Sequence, residues 1–138
     1  MTALWIDLHD ACVIWMTAII WLVQVRIYPH FRSVSEPEFT MFHARHCRRI
    51  TFLVWPMLAE LIFCGVILFQ VGPEAPWLIQ LAGILVIILS TAIWSVPEHN
   101  LLGTGKNSLS IERLIRTNWV RTLAWTVLLF EVTLRRSL

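Results

Sequence analysis

Residues 39–63 read FTMFHARHCRRITFLVWPMLAELIF. The stretch opens polar, with His43, His46, Cys47 and three arginines. From Ile50 it turns almost wholly apolar, yet keeps one carboxylate, Glu60. His43, His46, Ile50, Leu53, Met57, Glu60 and Cys64 recur at alternating steps of three and four, which is one stripe of a helix. A helix that starts wet and then runs through some twenty apolar residues fits a membrane crossing. Its two histidines and its buried acid are the first candidates for chemistry.

The rest of the chain agrees with a membrane setting. Of its 138 residues, 57% are hydrophobic and 14% charged, against about 45–50% and about 25% in soluble domains. Mean hydropathy is +0.69. Eight tryptophans fit membrane interfaces. A net charge of +2, with no basic run interleaved with aromatics, gives no reason to expect nucleic acid as a partner. Asp7 and Asp10 precede the first apolar run where a secretory signal would carry Lys or Arg, so that run is expected to stay as a helix. Cys12, Cys47 and Cys64 have no metal-like spacing. Cys12 and Cys64 read as packed thiols, and Cys47, among arginines, takes no role.

Four helices are expected, at about 8–28, 40–70, 75–96 and 115–135. The third is the clearest; the fourth, interrupted by Arg121 and Glu131, is the weakest. Glu131 and Arg135 are four apart and are expected to pair. Ser35 and Glu38 around Pro37 mark a helix start, and VGPEAP (71–76) marks a tight turn. Residues 97–114 read as the longest loop, with a short amphipathic helix over 108–115. The fold expected is an all-α integral membrane four-helix bundle running up-down-up-down. Arginine and lysine gather after the first and third helices (Arg26, Arg32, Arg45, Arg48, Arg49; Lys106, Arg113, Arg116). The positive-inside rule then puts both connections in the cytoplasm and both termini outside the inner membrane.

That topology brings His30, His43, His46 and His99 to one level and leaves His9 at the other end. Asn118 and Arg121 open the fourth helix at the histidine level. Val13, Thr17, Ile20 and Gln24 share one face of the first helix. Gln80, Gly83, Ile87, Ser90 and Trp94 share one face of the third, and Asn118, Arg121 and Trp125 one face of the fourth. Such seams of polar and small residues are where membrane helices pack. Imidazoles suit Zn, Cu or Fe, so His43, His46 and His99 are read as candidate ligands of a transition metal, with His30 as fourth ligand or supporting group. The competing readings are plain solvation at the interface and a headgroup or quinone site. A haem between His46 and His99 has no attachment motif behind it. Glu60 lies about 21 Å along the helix from His46 (1.5 Å per residue) and needs its own partner, such as Gln80, a Trp N–H or water, or must be neutral. Intramembrane acids are candidates for function, so Glu60 is assigned to proton handling, and Asn118 and Arg121 to orienting an anionic or carbonyl oxygen.

VQVRIYPHF (23–31), FHARHCRRITFLVWPMLAE (42–60), VPEHNLL (96–102) and TNWVRTLAW (117–125) resemble a group of small bacterial four-helix membrane proteins. More distantly, Pro97, Asn100, Leu101, Trp119 and Arg121 resemble the anthrone-oxygenase-like family. That resemblance implies a membrane-embedded site for a hydrophobic, aromatic or quinone-like molecule, and it carries over no catalytic residue. The leading expectation is a membrane redox or oxygenase-like enzyme. The alternative is a non-catalytic subunit of a larger respiratory or photosynthetic complex. A transporter or channel comes third, since four helices leave little room for a pore unless the chain forms a homo-oligomer.

Overall fold

A computed structural model describes residues 1–137. Those residues are almost wholly helical, without strands, in four runs. We label them α1 (Thr2–Ser33), α2 (Glu36–Val71), α3 (Ala75–Gly103) and α4 (Ser108–Ser137). The first three are long and apolar enough to cross a membrane; α4, the most heavily charged, is not among them. Each of α1 and α3 packs against both α2 and α4, so the runs stand in cyclic order around one core. Val13, Phe31, Ile84, Ile87, Leu114 and Trp125 lie at its centre.

The runs are longer than their apolar spans predict, because two prolines expected to end helices, Pro29 and Pro97, are accommodated within them. In α1 and α3 the turn before the proline widens to π geometry, at Val23–Ile27 ahead of Pro29 and at Thr91–Ser95 ahead of Pro97. A proline lacks the N–H of the helical ladder and its ring collides with the preceding turn. A π turn takes up one extra residue and relieves both problems. Helix α3 therefore continues to Gly103 and α4 begins at Ser108, which leaves residues 104–107 as the connection where a long loop was expected. In α2 the ladder is interrupted at Trp55–Pro56, where Trp15 Nε1 of α1 donates to Leu53 O at 3.1 Å.

The π turn in α3 also moves the inward face by one residue. Ser95 is buried and Trp94 is 42% exposed, the reverse of a regular 3.6-residue continuation from Ser90. The other seams lie as expected. Val13, Thr17, Ile20 and Gln24 are buried, as are Asn118, Arg121 and Trp125.

The ends are closed by local chemistry. Gly72, at φ 89°, ends α2 with its N–H on Leu68 O, a backbone angle that costs glycine little. Ser35 Oγ donates to Glu38 Oε2 at 2.6 Å at the start of α2. Asn107 Oδ1 accepts from Ser110 N at 3.1 Å at the start of α4. Lys106 Nζ donates to Arg32 O and Val34 O, at 2.9 and 2.7 Å, and so occupies carbonyls at the end of α1.

Candidate functional site

The helix ends gather three of the four expected histidines. Tyr28 follows the π turn of α1, His99 follows that of α3, and His43 and His46 stand on the first turns of α2. His43 Nε2 lies 3.0 Å from His99 Nδ1, and Tyr28 Oη lies 3.1 Å from His99 Nε2. His46 stacks on His99, with ring centroids 5.9 Å apart and planes at 21°. Its Nε2 is buried without a partner. Phe31 and Phe39 wall the group, Phe39 stacked on His43 at 5.9 Å and Phe31 edge-on to His46 at 4.9 Å.

Cys47 joins this group. Its Sγ lies 3.5 Å from His43 Nε2 and 3.9 Å from His99 Nδ1. One donor atom each from His43, Cys47 and His99 falls within 4.8 Å of the other two, so these residues could hold a metal ion. Cys47, expected from the sequence to have no role, has no metal-like spacing to mark it. The usable signal was its place four residues after His43, on the same helical face. His30, expected as a fourth ligand, stands apart: its ring is exposed beside Phe42, with Nδ1 3.0 Å from Ser33 Oγ. It lies in the last turns of α1, which carry it to the rim while Tyr28 takes the inward place.

Below the histidines the core stays polar. Asn118 Nδ2 donates to Gln24 Oε1 at 2.8 Å, and its Oδ1 accepts from Arg121 Nη2 at 2.6 Å. Gln24 Nε2 donates to Ile115 O at 3.2 Å. Arg121 is within electrostatic range of His99. Glu98, next to His99 in the chain, pairs with Arg113 at 3.4 Å. Deeper still, Thr17 Oγ1 lies 2.7 Å from Val13 O and 3.1 Å from Trp125 O.

Between α1 and α2, against the outer side of His46, lies an open cleft of about 420 Å³. Arg26, His30, Arg45, His46 and Arg49 line it, together with the apolar Ile27, Phe42, Ile50 and Leu53.

Glu60 belongs to a different place. It is fully buried near the opposite end of the bundle, with Oε1 3.2 Å from His9 Nε2. Gln80, one of the partners expected for Glu60, instead donates to Glu131 and Leu128 O. Glu131 also pairs with Arg135 at 3.2 Å, as the four-residue spacing predicted. His9, expected at the end away from the other histidines, is thus a neighbour of Glu60. Antiparallel packing of α1 on α2 puts the start of one beside the later turns of the other, which no local spacing reveals.

Comparison of the chain with family models, with curated proteins and with solved structures finds no match.

Proposed function

We propose that the chain is an integral membrane four-helix bundle, running up-down-up-down with both termini outside the inner membrane. On its cytoplasmic side it carries a transition-metal centre that acts on a hydrophobic molecule with a polar head, in redox or oxygenase-like chemistry. The observation that carries this reading is the close approach of His43, Cys47 and His99, donors from two helices, within 4.8 Å of one another. Two imidazoles and a thiolate suit Zn, Cu or Fe. Three protein ligands leave a position open, as catalytic centres do. The membrane placement rests on three long apolar helices and on outward-facing side chains such as Phe52, Phe69 and Phe130, which water would not favour.

A metal held there would supply Lewis-acid or one-electron chemistry. The chain's own residues have separate tasks. Tyr28 holds His99 through its far nitrogen and so fixes the ring for ligation. His46 offers an unpartnered nitrogen between the donors and the cleft. Arg26, Arg45 and Arg49 place positive charge at the mouth, suited to an anionic or carbonyl oxygen, while Ile50 and Leu53 receive an apolar tail. Asn118 fixes Arg121, whose charge stabilises negative charge near His99.

The test is elemental analysis with absorption spectroscopy on protein purified in mild detergent. About one transition metal per chain is expected, and it should be lost in His99→Ala. Wild-type protein that stays metal-free after exposure to Zn, Cu and Fe would sink the proposal.

A further inference from the structure

The end of the bundle remote from the histidine cluster holds a second ionisable group that the metal reading does not use. His9 and Glu60 are both wholly shielded from solvent. His9 Nδ1 lies 3.1 Å from Asp10 Oδ1, and His9 Nε2 lies 3.2 Å from Glu60 Oε1. The second contact is poorly aligned for a hydrogen bond, so His9 Nε2 and both Glu60 oxygens have no well-directed partner. The residues facing the pair are Asp10 and Cys12 from α1, Cys64 from α2 and Trp77 from α3; beyond them Arg135 of α4 reaches Asp10 and Glu131, and Glu131 holds Gln80 of α3.

Charge counting decides the state of the pair. Arg135 binds Asp10 at 2.6 Å and Glu131 at 3.2 Å. Arg136 binds Asp10 at 2.7 Å and also reaches Asp7, which lies at the solvent edge. Two guanidinium groups therefore match Asp10 and Glu131. No cation is left for Glu60 among the described residues. An isolated carboxylate in so dry a place costs several kcal/mol, and neither cysteine offers positive charge. The pair must hold one proton beyond the one that a neutral imidazole carries. That proton gives either a carboxylic acid beside neutral His9 or an imidazolium beside a carboxylate.

The same contacts form a graded path to the surface. Side-chain exposure falls from 62% at Asp7 to 50% at Arg136, 6% at Asp10 and 0% at His9 and Glu60. Imidazole is suited to the inner step. A proton accepted at Nδ1 from the Asp10 side, with another released from Nε2 to Glu60 Oε1, leaves the ring neutral with its tautomer exchanged.

We propose that His9 and Glu60 form a buried one-proton site, loaded and emptied through Asp10 from the end of the bundle where α1 begins and α4 ends. The site is independent of the metal centre at the other end, and its ligand is the proton itself.

The experiment uses the full chain in lipid bilayers. Infrared spectroscopy reads the carboxylic-acid carbonyl band of Glu60, identified by its loss in Glu60→Gln and its downshift in D2O. Nitrogen NMR of labelled histidine reads the protonation and tautomer of His9. Wild-type protein should show the extra proton on one partner or the other, and raising the pH should remove it. Asp10→Asn should slow deuterium exchange at the pair. Arg136→Gln leaves Arg135 on Asp10, so it serves as a milder perturbation of the same path and should also change the exchange rate. A Glu60 carboxylate beside a neutral His9 at every pH would overturn the proposal in the wild-type chain, with no variant needed. Exchange at the wild-type rate in both folded variants would overturn the route.

Discussion

His43 Nε2 and His99 Nδ1 lie 3.0 Å apart although 56 residues separate them. One of these nitrogens must carry a proton for the contact to be a hydrogen bond, and neither can carry one while it binds a metal. Ligation at this pair therefore needs a change of ring tautomer, and ligation by the neighbouring Cys47 needs its thiol deprotonated, so metal binding and proton release are linked at this site. Adding Zn, Co or Cu ions to the metal-free protein in weak buffer should acidify the solution. Affinity should fall as pH falls, because acid protonates both imidazoles and the Cys47 thiolate. Calorimetry in buffers of different ionisation enthalpy checks this, and a pH-independent affinity would contradict it.

Cys47 should leave an optical mark. Cobalt or copper bound beside its sulfur gives thiolate-to-metal charge-transfer absorption, which Cys47→Ser should abolish. Tyr28→Phe removes the hydrogen bond that orients His99 and should weaken metal binding about 10–100-fold. His30→Ala should leave both band and affinity unchanged. A spectrum indifferent to Cys47 but sensitive to His30 would require another ligand set.

Asn118 joins α1 to α4 by bonding Gln24 and Arg121 together. Asn118→Leu keeps the size but strands a buried amide oxygen and a guanidinium. The loss should be about 1–3 kcal/mol for each unsatisfied group. Thermal unfolding in one fixed detergent measures it, and an unchanged midpoint would show that these contacts carry no stability.

Gly83 of α3 stands against Leu128 of α4. A Cβ there would stand 2.5 Å from Leu128 Cδ2 and 3.0 Å from Leu128 Cγ. Gly83→Ala should cost about 1–3 kcal/mol from overpacking. Leu128→Ala should recover part of that loss in the double variant. Strict additivity in the cycle would mean that the two side chains do not meet.

Outside the apolar spans, Arg32 grips Glu112 through both carboxylate oxygens, at 2.6 and 2.7 Å. The hydrogen-bonded guanidinium holds the Glu112 carboxyl below its usual pKa. A carboxyl depressed in the folded state stabilises that state above the usual carboxylate range. The contribution fades as pH falls through the lowered value. Carbon NMR titration of Glu112 should therefore move back to the ordinary range in Arg32→Ala and in high salt. The same titration in wild type and variant would mean that the pair is not formed in solution.

The amino-acid sequence by itself determined the helical class, three of the four expected apolar spans and most of the inward stripes. These follow from local periodicity, and Val13, Gln24, Glu60, Asn118 and Trp125 are buried where that periodicity put them. It also brought His43, His46 and His99 to one level, because short connections between long helices leave few arrangements. Tertiary structure decided the rest. The π turns before Pro29 and Pro97 let the helices run on, set Tyr28 and His99 against α2 and exchanged Trp94 for Ser95 on the inner face. Antiparallel packing gave Glu60 its partner in His9, from a helix whose start lies far away in sequence. Spacing along one helix fixes which side chains share a face. Which residues of other helices meet that face depends on the register between rods, and that is set by the whole packed core.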